Sequence, residues 1–196
     1  MRNDRRRVNS AGDKQDPLES VEWCRVIDHP EVGDALVVVT EPAMHVIRLK
    51  PKPNTTLQAV GERLYMGTEE SKREIVQEIL GFARIRDLSS RAFTELPVVI
   101  QKMIEDDPDV FVNQFFNRAG NLSLKMHAFE LLQGVGNKKA MEMVAKRGRS
   151  GWENFEQLNA ECGINGPELL AARFVMEIND RGLQPRLIDL LLRKDE

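Results

Sequence analysis

Between Phe129 and Ala140 the chain reads Phe-Glu-Leu-Leu-Gln-Gly-Val-Gly-Asn-Lys-Lys-Ala, a Gly-Val-Gly turn followed at once by two lysines. Glycine lets the backbone turn tightly and approach a ligand with no Cβ in the way. Apolar residues recur at helical spacing on both sides, with Leu122, Met126, Phe129 and Leu132 before the turn and Ala140, Met141, Val144 and Ala145 after it. This pattern predicts two amphipathic helices joined by a very short connection. The second helix then opens with unsatisfied N–H groups at its positive dipole end. With Lys138 and Lys139 beside those groups, the chemistry on offer is the holding of an anionic oxygen such as that of a phosphate.

Charge points the same way. From 118 to 149 the chain carries Arg118, Lys125, Lys138, Lys139, Lys146, Arg147 and Arg149 against only Glu130 and Glu142. The first fourteen residues add Arg2, Arg5, Arg6, Arg7 and Lys14 against Asp4 and Asp13, while the whole chain has a formal net charge of −3. An acidic body with two basic zones directs a polyanion to those zones. The predicted grip is therefore Gly134, Val135, Gly136, Asn137, Lys138 and Lys139, with Arg118, Lys125, Lys146, Arg147 and Arg149 widening the footprint. The competing reading is that Gly-x-Gly makes only a sharp turn and that the hairpin packs against another protein.

Other chemistries find less support. Gly134 to Lys139 is no nucleotide P-loop, because the Gly-x-x-x-x-Gly-Lys-Ser/Thr order is absent and a helical pattern precedes it. His29, His45 and His127 are scattered without cysteines or carboxylates at ligand spacing, so no metal and no cofactor are expected. Cys24 and Cys162 stand alone and read as buried small hydrophobes in a reducing compartment, most simply the cytoplasm. Glu105-Asp106-Asp107-Pro108-Asp109 reads as a solvated turn with capping aspartates rather than a metal-dependent nuclease centre. No apolar run is long enough to cross a bilayer, and no membrane partner is expected.

Two predicted units must position these residues. The segment 1–16 has almost nothing to bury and is expected to be a disordered basic arm. Over 17–88, short β-prone runs (Val21–Ile27, Ala35–Val39, Met44–Leu49, Arg63–Met66) are separated by turn formers, as in a small all-β sheet or barrel. Ile75–Ile85 satisfies both periods in part and is assigned as a closing strand. Over 89–196 the pattern is helical: Ser89/Ser90 cap a helix that tolerates Pro97 only in its first two turns. Asp107-Pro108 opens the next helix, and Ser150 begins one through Trp152 to Leu158. Gly166-Pro167 begins another, and Leu187–Leu192 is a helix or a returning strand. Gly163-Ile164-Asn165-Gly166-Pro167 looks like a second, degenerate hairpin with a structural role.

Leu131, Gly134, Val135, Gly136 and Ala140 fall on the positions of the helix-hairpin-helix motif, and the turn resembles it. Gln133 departs from the proline many members carry there. That resemblance implies binding to a sugar-phosphate backbone largely without reading sequence. Glycosylases built on the same hairpin need an aspartate about twenty residues further on, where Ser150–Leu158 offers only Glu153 and Glu156, so no enzymatic activity is expected. Taken whole, the chain resembles an uncharacterised archaeal family that pairs an OB-like β domain with a helix-hairpin-helix domain and is labelled nucleic-acid-binding. The pieces that carry the resemblance are Val21-Glu22-Trp23, Val60-Gly61-Glu62-Arg63-Leu64-Tyr65-Met66-Gly67, Asp87-Leu88-Ser89, Glu95–Ile100, Phe115–Ala119 and the hairpin. It implies an α+β fold, an OB-like barrel followed by an all-α domain, and a nucleic-acid partner, with RNA favoured over DNA. On such a barrel Trp23, Tyr65 and Phe82 are the candidates to stack bases, with Arg48, Lys50, Lys52 and Arg63 for phosphate.

Overall fold

The computed structural model describes residues 17–192, so the basic arm expected over 1–16 lies outside the described residues. The chain is α+β. Five strands, β1 (Trp23–Asp28), β2 (Leu36–Glu41), β3 (Val46–Pro51), β4 (Arg63–Tyr65) and β5 (Val76–Phe82), form one antiparallel sheet in the order β4-β1-β2-β3-β5. The β-branched runs and intervening turn formers place the strands much as their sequence predicts, and the ambiguous Ile75–Ile85 segment does supply β5 along β3. The barrel expected from sequence is corrected to a curled half-barrel. β4 contributes three residues, all paired with β1, and it and β5 end the sheet on opposite sides.

Alternation along β1 explains how the sheet joins the helices, because successive side chains leave opposite faces. Cys24 and Val26 turn inward with Leu36, Val38, Ile47, Leu49 and Leu64 into the sheet's own core. Ile27 turns outward with Val39, Met44 and Val46 into a second core shared with the helical half. Burial pushes the Cys24 thiol up to about 12, with Glu41 adding to the shift, so this cysteine is an inert hydrophobe.

The long helix α1 (Ser90–Asp106) packs on that outer face, its start fixed by Ser89, whose hydroxyl accepts the Ala92 N–H. Pro97 is the eighth helical residue, just beyond the two turns expected to tolerate it; its neighbours Phe93 and Val98 are exposed, so the break in the hydrogen-bond ladder falls on the outer side. Asp107 closes α1 and accepts the Val110 N–H, and a π-helix over Asp109–Phe116 turns Phe111, Phe115 and Phe116 into the core.

The expected helix over Leu122–Leu132 is corrected. Asn121–Ser123 (β6) and Met126–His127 (β7) make a two-stranded hairpin, followed by a 3-10 turn over Ala128–Leu131. Local turn chemistry overrides the helical period here. The Ser123 hydroxyl accepts the Lys125 N–H, the Gly120 carbonyl accepts the Ala128 N–H, and His127 caps the turn. The C-terminal half is therefore not all-α, although α2 (Asn137–Arg147), α3 (Phe155–Cys162), α4 (Gly166–Asn179) and α5 (Leu187–Leu192) dominate it. Asn154, not Ser150, caps α3, which leaves the buried Trp152 in the preceding loop. The Gly163–Pro167 turn is a true helix-to-helix connection, with Gly163 left-handed at φ 62° and Asn165 capping α4. Leu187–Leu192 resolves as a helix.

Candidate nucleic-acid interface

The Gly-Val-Gly turn stands at the surface, with Gly134, Gly136, Asn137 and Lys138 exposed and Val135 buried as its anchor. Gly134 has φ 79°, a left-handed backbone that any side chain would strain. Gly136 is different: it is the N-cap of α2 with an ordinary extended backbone, and a Cβ placed on it would meet nothing within 4 Å. The fold alone therefore asks for glycine at 134 and not at 136.

No side chain caps α2, so its first amides, from Asn137 to Lys139, lack helical acceptors and point outward. The turn that precedes them borders an open hollow lined by Glu130 to Gly136 and by Met176 of α4. Its one acid, Glu130, accepts the His127 N–H at 2.8 Å and the side-chain Nδ2–H of Asn137 at 3.4 Å, so it braces the turn.

The basic residues divide. Lys138 and Arg149 are exposed and make no ion pair among the described residues, and Lys125 is exposed in the β6–β7 turn. Lys139 and Lys146 both reach Glu142, at 3.4 and 2.7 Å, and hold its carboxyl below the usual range, Lys146 contributing most. Lys146 also donates to the Glu161 carbonyl. Arg118 is exposed on the loop after the π-helix. Arg147 is turned inward: its guanidinium donates to the Phe116 and Ala119 carbonyls at 3.0 and 2.6 Å and lies 5.5 Å over the Phe129 ring. Its place in the expected footprint is taken by a structural role, because the half-buried loop after the π-helix needs donors for those two carbonyls.

His127 sits beneath the turn rather than on a helix. It is buried, its Nδ1 accepts the Phe129 N–H, and burial, followed by the Arg147 charge, holds its pKa below the ordinary histidine value. A histidine whose folded pKa is lowered binds its proton more readily when unfolded. Its contribution to stability is thus complete above the ordinary value of 6.5 and is lost as pH falls below it. His127→Asn keeps an acceptor for Phe129 without titrating. Thermal melts of that variant are expected to show a smaller loss of Tm from pH 7 to 5 than the parent, whose remaining slope includes His45, likewise shifted down. An unchanged slope would remove His127 from the account.

The sheet's candidates are largely occupied. Arg63 lies 4.2 Å over Trp23 while Tyr65 meets the same ring edge-on, and Arg63 and Arg25 share Glu41. Arg25 also pairs with Asp106 at 2.5 Å, so the acidic end of α1 ties sheet to helix. Lys52 donates to the Arg73 carbonyl, whereas Arg48 and Lys50 are exposed on β3. Phe82 is exposed at the end of β5, beside a cleft that sequence reasoning missed, lined by Arg84, Arg86, Arg181 and Arg186. Among the described residues no group of histidines, cysteines and carboxylates could hold a metal ion, and no helix is long and apolar enough to cross a membrane.

A curled antiparallel sheet followed by helices, with a glycine-turned helix start exposed at the surface, defines an α+β protein. The chain belongs to the family described as "Protein of unknown function (DUF655)", whose model matches residues 29–186. It is 26% identical over 185 residues to the uncharacterized protein MJ0038 of Methanocaldococcus jannaschii, covering 91% of this chain and 82% of that one. The crystal structure of Af1531 from Archaeoglobus fulgidus, of the same family, aligns with a TM-score of 0.75 at 27% identity, over 85% of this chain and 98% of that one.

Proposed function

We propose that this chain is a cytoplasmic, non-enzymatic nucleic-acid-binding protein. It grips the sugar-phosphate backbone without strong sequence preference, through the amides of Gly136 to Lys139, with Lys138, Lys139, Lys125, Arg118 and Arg149 adding charge. One observation carries this reading: the uncapped start of α2 opens beside a glycine, Gly136, that nothing in the fold requires. A phosphate approaching main-chain donors does require it. The glycine turn leading into α2 is read as the working half of a helix-hairpin-helix, with a 3-10 turn in place of its first helix and α3–α4 as a structural counterpart. The five-strand sheet is read as an OB-like half-barrel, and RNA is favoured over DNA on the family resemblance.

A titration of binding against salt tests the reading. Two or three phosphate contacts give a log-log slope near −2 to −3, about 0.9 per phosphate neutralised on a duplex. Gly136→Ala sharpens the test, because the added methyl is unstrained in the free protein but sits where the phosphate would come. Its Tm is expected to stay within about 3 °C of the parent, while affinity for oligonucleotides falls roughly tenfold, a loss of about 1.4 kcal/mol. Full binding by Gly136→Ala would move the contact elsewhere. Failure of the parent to bind any oligonucleotide would leave the hairpin as a protein-packing element.

A further inference from the structure

We propose that the cleft between the β2–β3 turn, the end of β5 and the last turn of α4 is a second nucleic-acid site, which takes a single strand with a base on Phe82 and phosphates on its arginines. This inference rests on the nucleic-acid reading above and adds strandedness to it. The hollow, about 700 Å³, is lined on one side by His45, Phe82, Arg84 and Arg86 and on the other by Arg181 and Arg186. That volume is of the size that encloses a small ligand or a nucleotide.

Four guanidiniums converge there from two segments far apart in sequence. The carboxylate in the wall, Glu177, is consumed by Arg173 and by the Leu187 and Ile188 amides. Arg84 and Arg181 are exposed and make no ion pair among the described residues. Arg86 and Arg186 have Asp87 and Asp189 at 3.9 and 3.7 Å, too far for a hydrogen bond. Among the described residues the Nε of Arg186 is buried with no acceptor within hydrogen-bond distance. A guanidinium is only ever a donor, so this buried N–H suits an acceptor brought by a ligand.

The cleft also offers a ring. Phe82 is 47% exposed and lines the hollow, and His45 meets it in a T-shaped contact with centroids 5.4 Å apart. Burial, then the charges of Arg181 and Arg186, hold the His45 pKa down, so this ring supports Phe82 as a neutral neighbour while the arginines set the local potential. An aromatic ring beside backbone-tracking cations is how sequence-tolerant single-strand sites work. A duplex, whose bases are stacked inside, presents none to Phe82.

The cleft adjoins the hairpin. Met176 lines the hollow at the Gly-Val-Gly turn and Glu177 to Asn179 line this one, so consecutive residues of α4 border both. A strand gripped at the turn can continue over the end of α4 onto Phe82.

Fluorescence anisotropy with a labelled 12-nucleotide oligo(A), as RNA and as DNA, and with a 12-base-pair duplex tests this on the full chain. Phe82→Ala is expected to weaken single-strand binding between about 5- and 100-fold, the worth of one stacked base, with duplex affinity unchanged. Arg84→Glu with Arg181→Glu is expected to lower single-strand affinity at least tenfold and to reduce the salt slope by about 1.4, two phosphates at about 0.7 each. Arg84→Gln with Arg181→Gln, which removes the charges without reversing them, is expected to cut the slope equally. It serves if the reversal disturbs the fold, as read by circular dichroism and Tm.

Unaltered single-strand binding in these variants, or equal losses on strand and duplex, would overturn the cleft site. If only the hairpin variants lose binding, the cleft falls and the hairpin stands; if only the cleft variants do, the hairpin reading falls and the cleft stands. A dependence on Phe82 with either RNA or DNA supports the site, and a preference for one names its ligand.

Discussion

Replacing Glu177 with alanine is expected to cost about 3–5 kcal/mol of stability, the usual loss when one partner of a buried ion pair is removed. Glu177 is fully buried on α4, with one carboxylate oxygen accepting from Arg173 Nε at 2.7 Å and from the Leu187 N–H at 2.8 Å, and the other from the Ile188 N–H at 3.0 Å. The pair at i and i+4 thus satisfies the first amides of α5, which have no helical partner of their own. Truncation leaves three donors unpaired, including the charged guanidinium of Arg173, itself 6% exposed and tied to the Pro185 carbonyl. For a chain of this length each kcal/mol lowers Tm by about 2–4 °C, so calorimetry should record a fall of roughly 6–20 °C. The α5 amides should also lose their protection from hydrogen exchange. A drop of only a few degrees would show that α5 is held by the packing of Leu187 and Ile188 alone. Because Arg186 precedes α5, the same variant is expected to loosen the arginine cleft.

Reversing charge at the hairpin, Lys138→Glu with Lys139→Glu, is expected to lower oligonucleotide affinity about 30-fold or more at 0.15 M salt. That figure is the counterion-release value of two phosphate contacts at about 0.9 each, before any repulsion is added. The salt slope should flatten by about 1.8 at the same time, which a merely weakened fold would not produce. The fold itself is expected to survive. Carboxylates in the first turn favour a helix dipole, by roughly 0.3–1 kcal/mol each, and among the described residues the native ion pair lost is the 3.4 Å contact of Lys139 with Glu142 on the surface. Full binding by a folded double variant would place the phosphate contacts away from α2. The same substitutions leave Phe82 and the cleft arginines untouched, which is why the two sites can be told apart.

How much of this was legible in the sequence follows the range of the forces involved. The strands were legible because β-branched runs and turn formers act locally: Trp23–Asp28, Leu36–Glu41 and Val46–Pro51 lie where alternation and prolines put them. The cap of α1 at Ser89 and the start of α4 at Gly166-Pro167 were legible for the same reason. The first helix of the hairpin was misread because Leu122, Met126, Phe129 and Leu132 keep a helical period. Gly120, Ser123 and His127 offer the backbone closer partners, and Met126 ends up exposed.

The site divides along the same line. By itself the sequence determined that a glycine turn would open a lysine-tipped helix, since a left-handed Gly134 and an uncapped Gly136 are properties of a few consecutive residues. Only the tertiary structure decided which cations are available to a ligand. Arg147 is drawn inward by the Phe116 and Ala119 carbonyls, and Lys146 is engaged at the surface by Glu142 and Glu161, whereas Arg84 and Arg86 meet Arg181 and Arg186 across one cleft. Backbone conformation is set by neighbours along the chain, but the fate of a charge is set by whatever the fold brings within a few ångströms of it, and no local spacing records that.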